Sequence, residues 1–126
     1  AARYDRRLRD FFGGLPRFDL ILLGLGDDGH IASLFPHTPA LQERHRYAVH
    51  STAPVPPIHR VTLTLPVINA AARVLFLVSG AGKAAILRRV LEGEAAGDDL
   101  PAQLIRPARG EVIWLVDESA ARLLSH

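Results

Sequence analysis

The chain has 126 residues, 48% of them hydrophobic, with 15 basic and 13 acidic side chains for a formal net charge of +2. That length suits one small domain, and the apolar content supports a real core, which excludes a disordered tail. There is no cysteine, no apolar run of about 18 or more residues and no basic run interleaved with aromatics, so disulfides and thiolate chemistry are excluded and neither membrane nor nucleic acid is an expected partner.

Residues 2–12 place Tyr4, Leu8, Phe11 and Phe12 at helical spacing, and Gly13 and Gly14 close that helix. Residues 18–23 are a short apolar run without alternation, which suits a strand buried on both faces of a parallel sheet. Residues 46–51 are a further strand, and the proline-rich TAPVPPIHR is an extended connector. RVTLTL, residues 60–65, alternates as a half-buried strand. Pro66 opens a short helix, VINAA. VLFLV, residues 74–78, is a second buried strand, and Ser79 and Gly80 lead into the helix GKAAILRRVLEG, ending near Gly93. EAAGDD is a polar surface turn. VIWLV, residues 112–116, is the last strand, with Trp114 in the core, and residues 118–125 form a terminal helix. Strands alternating with helices predict one Rossmann-like α/β domain over residues 1–126, with a mostly parallel sheet and helices on both faces. Strands 18–23, 60–65, 74–78 and 112–116 are expected in that sheet. Ligands in such folds bind at the carboxyl ends of the strands.

GLGDDG, residues 24–29, stands at one such end and fits the dinucleotide fingerprint G-x-G-x-x-G. The chemistry does not fit. Asp27 and Asp28 fall between the second and third glycines and would repel a pyrophosphate. The strand that follows also ends without the acid that would bind a ribose.

The turn suits other chemistry. Gly24, Gly26 and Gly29 can take backbone angles closed to other residues, leaving N–H groups free to converge on an oxyanion. His30 follows, the residue type best suited to act as a general base near neutral pH. Asp28 is placed to fix the imidazole tautomer. Ser33 is read as a local hydrogen-bonding residue rather than a nucleophile. A plainer alternative is a tight turn in which Asp28 caps a helix starting near His30. The remaining histidines, His37, His45, His50, His59 and His126, show no metal-ligand spacing, and no metal site is expected.

GLGDDGHIASLFP resembles the G-x-G-x-D-G-H-x-A-S-L-F-P signature of the 6-phosphogluconolactonase family. The resemblance takes in FDLILLG before the motif and RVTLTLPVINAA, VLFLVSGAGKA, LPAQLIRP and VIWLVD after it. The wider superfamily includes glucosamine-6-phosphate deaminases, whose turn continues as I-A-F-N-E-P. Here Phe35 stands where the deaminase acid would be, which favours the lactonase.

The resemblance implies hydrolysis of 6-phosphoglucono-δ-lactone to 6-phosphogluconate in the pentose phosphate pathway, with no metal and no organic cofactor; the lack of cysteine fits a reducing, cytoplasmic setting. The resemblance also implies His30 as general base, Asp28 as the acid beside it, and Lys83 and Arg60 as cations for the sugar phosphate. A lactone has an alkoxide leaving group, so activated water and an oxyanion site suffice without a covalent intermediate.

The resemblance covers the carboxyl-terminal portion of longer family members. Their amino-terminal half carries the first strands, a glycine/serine-rich phosphate loop and a further arginine. Either that half or a homo-oligomer is expected to complete the fold. Three readings follow: a lactonase whose other half is supplied elsewhere, a deaminase-like sugar-phosphate enzyme, and a non-catalytic fragment.

Overall fold

The computed structural model describes residues 1–125, and His126 lies outside the described residues. The first helix, α1 (Ala2–Phe12), stops where Gly13 turns left-handed at φ 69 and its N–H donates to the Arg9 carbonyl. Leu8 is the buried residue of α1. Asp5 anchors the helix by accepting from the Tyr47 and Ala48 amides at 2.5 and 3.3 Å and from Arg9 at 3.0 Å. Burial opposes ionisation of Asp5, but those donors hold its carboxyl below the usual carboxylate range.

Three parallel strands form the main sheet in the order β1 (Ile21–Leu23), β4 (Arg73–Val78), β5 (Glu111–Val116). Ile21 pairs with Val74, and Phe76 with Trp114. The hairpin of β2 (Ala48–Thr52) and β3 (His59–Leu63) is a separate antiparallel sheet. Residues 60–65 were expected in the parallel sheet, and the connector explains why they are not. The proline-rich segment folds back on itself, the Ala53 amide donating to the Ile58 carbonyl at 2.7 Å. A parallel return needs a crossover of about a dozen residues or more, so this short link makes a hairpin. The strand ends at Leu63 because Leu65 and Pro66 open helix α3 (Leu65–Ile68), which follows the short α2 (Pro39–Gln42) in chain order.

The sheet packs its core on one face. Val74 and Phe76 are fully buried, and Trp114 stacks on Phe76 with centroids 3.8 Å apart. Ile68 of α3, Ile86, Leu87 and Val90 of α4 (Ala84–Glu92) and Ala120 of α5 (Glu118–Ala121) join the same cluster. The other face presents Leu22, Leu77, Ile113 and Leu115, between 39% and 57% exposed. Residues 18–23 are therefore covered on one side rather than both, and only Ile21–Leu23 is strand. Helix α5 is shorter than the expected 118–125, because the chain is drawn aside after it. The Ser125 amide and hydroxyl donate to Glu92 at 2.8 and 3.0 Å.

Candidate active site

The exits of all three parallel strands meet at one end of the sheet, where α/β folds place ligands. After β1, residues 24–31 close on themselves. The Gly26 amide donates to the His30 carbonyl at 3.0 Å and the Gly29 amide to the Gly26 carbonyl at 2.9 Å. These two N–H groups are thus committed inside the turn, and the expected oxyanion donors are not found at Gly26 or Gly29. Gly29 alone of the three glycines is left-handed, at φ 83. Gly26 is required for a different reason: a Cβ there would overlap the His30 ring and crowd Asp28. Gly24 has open space where a side chain would go.

No helix begins at His30. Residues Ile31 and Leu34 form an isolated antiparallel bridge, with Ala32 at φ 50 between them. The helix-cap alternative for Asp28 is therefore set aside. Ile31, Leu34 and Phe35 are buried and fix this segment to the core. Ser33 ties it to the hairpin through its backbone: its amide donates to Thr62 Oγ1 at 3.2 Å, and its carbonyl accepts from Ser51 Oγ.

Asp28 Oδ1 accepts from the His30 amide at 3.0 Å and meets His30 Nδ1 at 2.6 Å. Burial raises the cost of ionising Asp28, but the hydrogen bonds from His30 hold its carboxyl below the usual range. A carboxylate only accepts, so Nδ1 carries a proton, and in the neutral ring Nε2 is left with the lone pair. The Phe35 ring lies against the imidazole with centroids 4.4 Å apart, tilted by 37°. The backbone pair at Asp28, the bare edge of Gly26 and the Phe35 ring together fix the imidazole plane.

His30 lines an open cleft of about 400 Å³ together with Gly24, Gly26, Ala32 and Lys83. Lys83 comes from the single 3-10 turn Ala81–Lys83 that precedes α4, and its ammonium lies 2.9 Å from Asp27 Oδ1. The loop that carries it is fixed by Asp117, whose carboxylate accepts from the Gly80 amide at 3.1 and 3.2 Å and from Ala120 at 2.8 Å. Asp117 thus joins the exits of β4 and β5. The sequence reading gave it no role, although an Asp between a strand and ESAA is a helix-cap signal.

Arg60 is not among the residues that line the cleft. Its guanidinium donates to the Pro57 and Val55 carbonyls and lies 5.5 Å from the Phe35 centroid, one ring away from His30. His37 pairs with Asp99, and His50 with His59 at 3.0 Å. Among the described residues no three His, Asp or Glu side chains gather to hold a metal ion. No helix among them is long and apolar enough to cross a membrane.

Residues 1–114 match the family model described as glucosamine-6-phosphate isomerases/6-phosphogluconolactonase. The chain belongs to this family. It is 52% identical over 128 aligned residues to 6-phosphogluconolactonase of Homo sapiens, covering 99% of this chain and 49% of that protein. Among solved structures, the devB protein superposes with a TM-score of 0.89 at 35% identity, over 98% of this chain and 53% of its own. 6-phosphogluconolactonase from Trypanosoma cruzi superposes with a TM-score of 0.85 at 30% identity, over 99% and 51%. The chain thus spans about half the length of the curated relatives it matches.

Proposed function

We propose that this chain supplies the general-base half of a 6-phosphogluconolactonase site, acting in the pentose phosphate pathway on 6-phosphoglucono-δ-lactone. The observation that carries the reading is the His30–Asp28 contact of 2.6 Å at the edge of the cleft. Asp28 holds the proton on Nδ1, so Nε2 is the free base. Nε2 takes a proton from water as the water oxygen bonds to the lactone carbonyl carbon. The tetrahedral oxyanion then collapses, the ring C–O bond breaks, and the imidazolium returns its proton to the departing oxygen. Hydrolysis gives 6-phosphogluconate, and no group beyond water is consumed.

Lys83 is the proposed cation for the substrate phosphate, in the cleft that His30 also lines. Gly24 and Gly26 line that cleft, whereas Gly29 is not among its lining residues. Arg60 serves as a second cation only if it leaves the Val55 and Pro57 carbonyls. The open sheet face is the surface on which the remaining half of the family fold packs. The support is that this chain spans about half of its relatives yet leaves Leu22, Leu77 and Leu115 at least half exposed. The location of the reaction is proposed to be the cytoplasm.

The test is lactone hydrolysis by the purified chain, alone and mixed with the amino-terminal half of a full-length relative, after subtraction of the spontaneous rate. His30→Asn is expected to lower kcat by about 10²–10⁴-fold with little change in KM. Activity of the unsubstituted protein should fall on acidification, since a protonated imidazole cannot accept. Full kcat in the variant, or no activity in either preparation, overturns the reading.

A further inference from the structure

Positions 27 and 28 hold two carboxylates with separate partners. Asp28 is engaged with the His30 ring at 2.6 Å. Asp27 is largely exposed and pairs instead with the Lys83 ammonium at 2.9 Å. That contact spans 56 positions in the sequence and joins the turn after β1 to the segment after β4. These are the segments that bring His30 and Lys83 to one cleft. An exposed ion pair of this kind adds little to folding, so it needs no structural purpose to be tolerated.

We infer that Asp27 is a tethered competitor for Lys83: it holds the ammonium while the site is empty, and the phosphate dianion of a sugar phosphate must displace it. The inference rests on the reading of Lys83 as the phosphate cation. Charge decides between competition and sharing. An ammonium has three N–H donors, so geometry alone allows both anions to bind. A phosphate of charge near −2 beside a carboxylate of −1 leaves a net repulsion around a single positive charge, so one anion must give way.

Asp27 has the higher local concentration, because the turn holds it in reach. It therefore weakens the hold of Lys83 on any free anion. A ligand that also fills the cleft beside His30 recovers that loss through its sugar ring, whereas inorganic phosphate does not. The same competition hastens departure of a phosphorylated product, because Asp27 stands ready to take the ammonium back.

The experiment titrates inorganic phosphate into the chain and follows the backbone amides of residues 80–84 by NMR. Asp27→Asn should bind phosphate about two- to five-fold more tightly, the range set by the strength of an exposed ion pair. Asp27→Glu should retain the affinity of the unsubstituted chain. Lys83→Ala should lose most of the binding, and adding Asp27→Asn to it should change nothing further. Unchanged or weaker binding in Asp27→Asn, with Lys83→Ala still impaired, overturns the competition and leaves the Lys83 reading intact. Undiminished binding in Lys83→Ala overturns both.

Discussion

The two faces of the parallel sheet are made from alternate residues of the same three strands, yet they meet opposite surroundings. Val74 and Phe76 are fully buried, while Leu77, between Phe76 and Val78, is 50% exposed. Leu22 in β1 and Leu115 in β5 share its side of the sheet and its exposure. Both faces are apolar, so hydrophobicity in these strands does not tell which one this chain covers. A contiguous exposed apolar surface of this kind is suited to packing against a partner. Among the described residues the edge strand β1 has no partner strand on its outer side, which adds a row of open backbone groups.

The contrast is sharpest where the faces are cut. Phe76→Ala empties a site stacked against Trp114, so unfolding by urea should show a loss of about 3–5 kcal/mol. A loss below about 1 kcal/mol would mean that this face is not the core. Gly26→Ala probes the turn after β1, where a Cβ meets the His30 ring. Overpacking should cost about 1–3 kcal/mol and displace the imidazole, read from denaturation and from the His30 ring signals by NMR. Unmoved ring signals would show that the turn has slack that the structure does not suggest.

Acid tests the polar clamps outside the sheet, with a smaller effect. Glu43 accepts from the His45 and Arg46 amides and from the Arg46 side chain, which lowers its pKa from 4.5 to about 2. A depressed carboxyl stabilises the fold above its unfolded pKa and loses that contribution as pH falls through the folded value. Stability should therefore decline between about pH 4.5 and 2, and Glu43→Gln should remove part of that slope in acid titrations followed by circular dichroism. An identical slope in the variant would exclude Glu43 as a source. The smallest change is expected from Leu77→Ser, within about 0.5 kcal/mol in the chain alone, because the residue lies on the open face. A cost near that of Phe76→Ala would show that this face is covered in solution by another copy.

Much of this was written locally. The spacing of Leu8 and Phe12, with Gly13 behind them, determined α1, because helix period and a left-handed stop are short-range properties. Pro66 determined the start of α3, since its fixed φ and missing N–H suit the first turn. GLGDDGH determined the tight turn and set Asp28 within reach of His30, two residues away. The tertiary structure decided what depended on distant partners. It set residues 60–65 in a hairpin, because the direction of pairing follows from the path of the connector and not from alternation. Not every miss was long-range: the Gly26 and Gly29 amides, expected free for an oxyanion, are taken by partners within the same turn. The distant contacts laid Phe35 on the imidazole, held Arg60 near Phe35 but out of the cleft lining, and brought Lys83 across to Asp27. The tertiary structure also decided which side of each strand is open, because burial is a property of what packs against a residue, and that neighbour is not written in the residue itself.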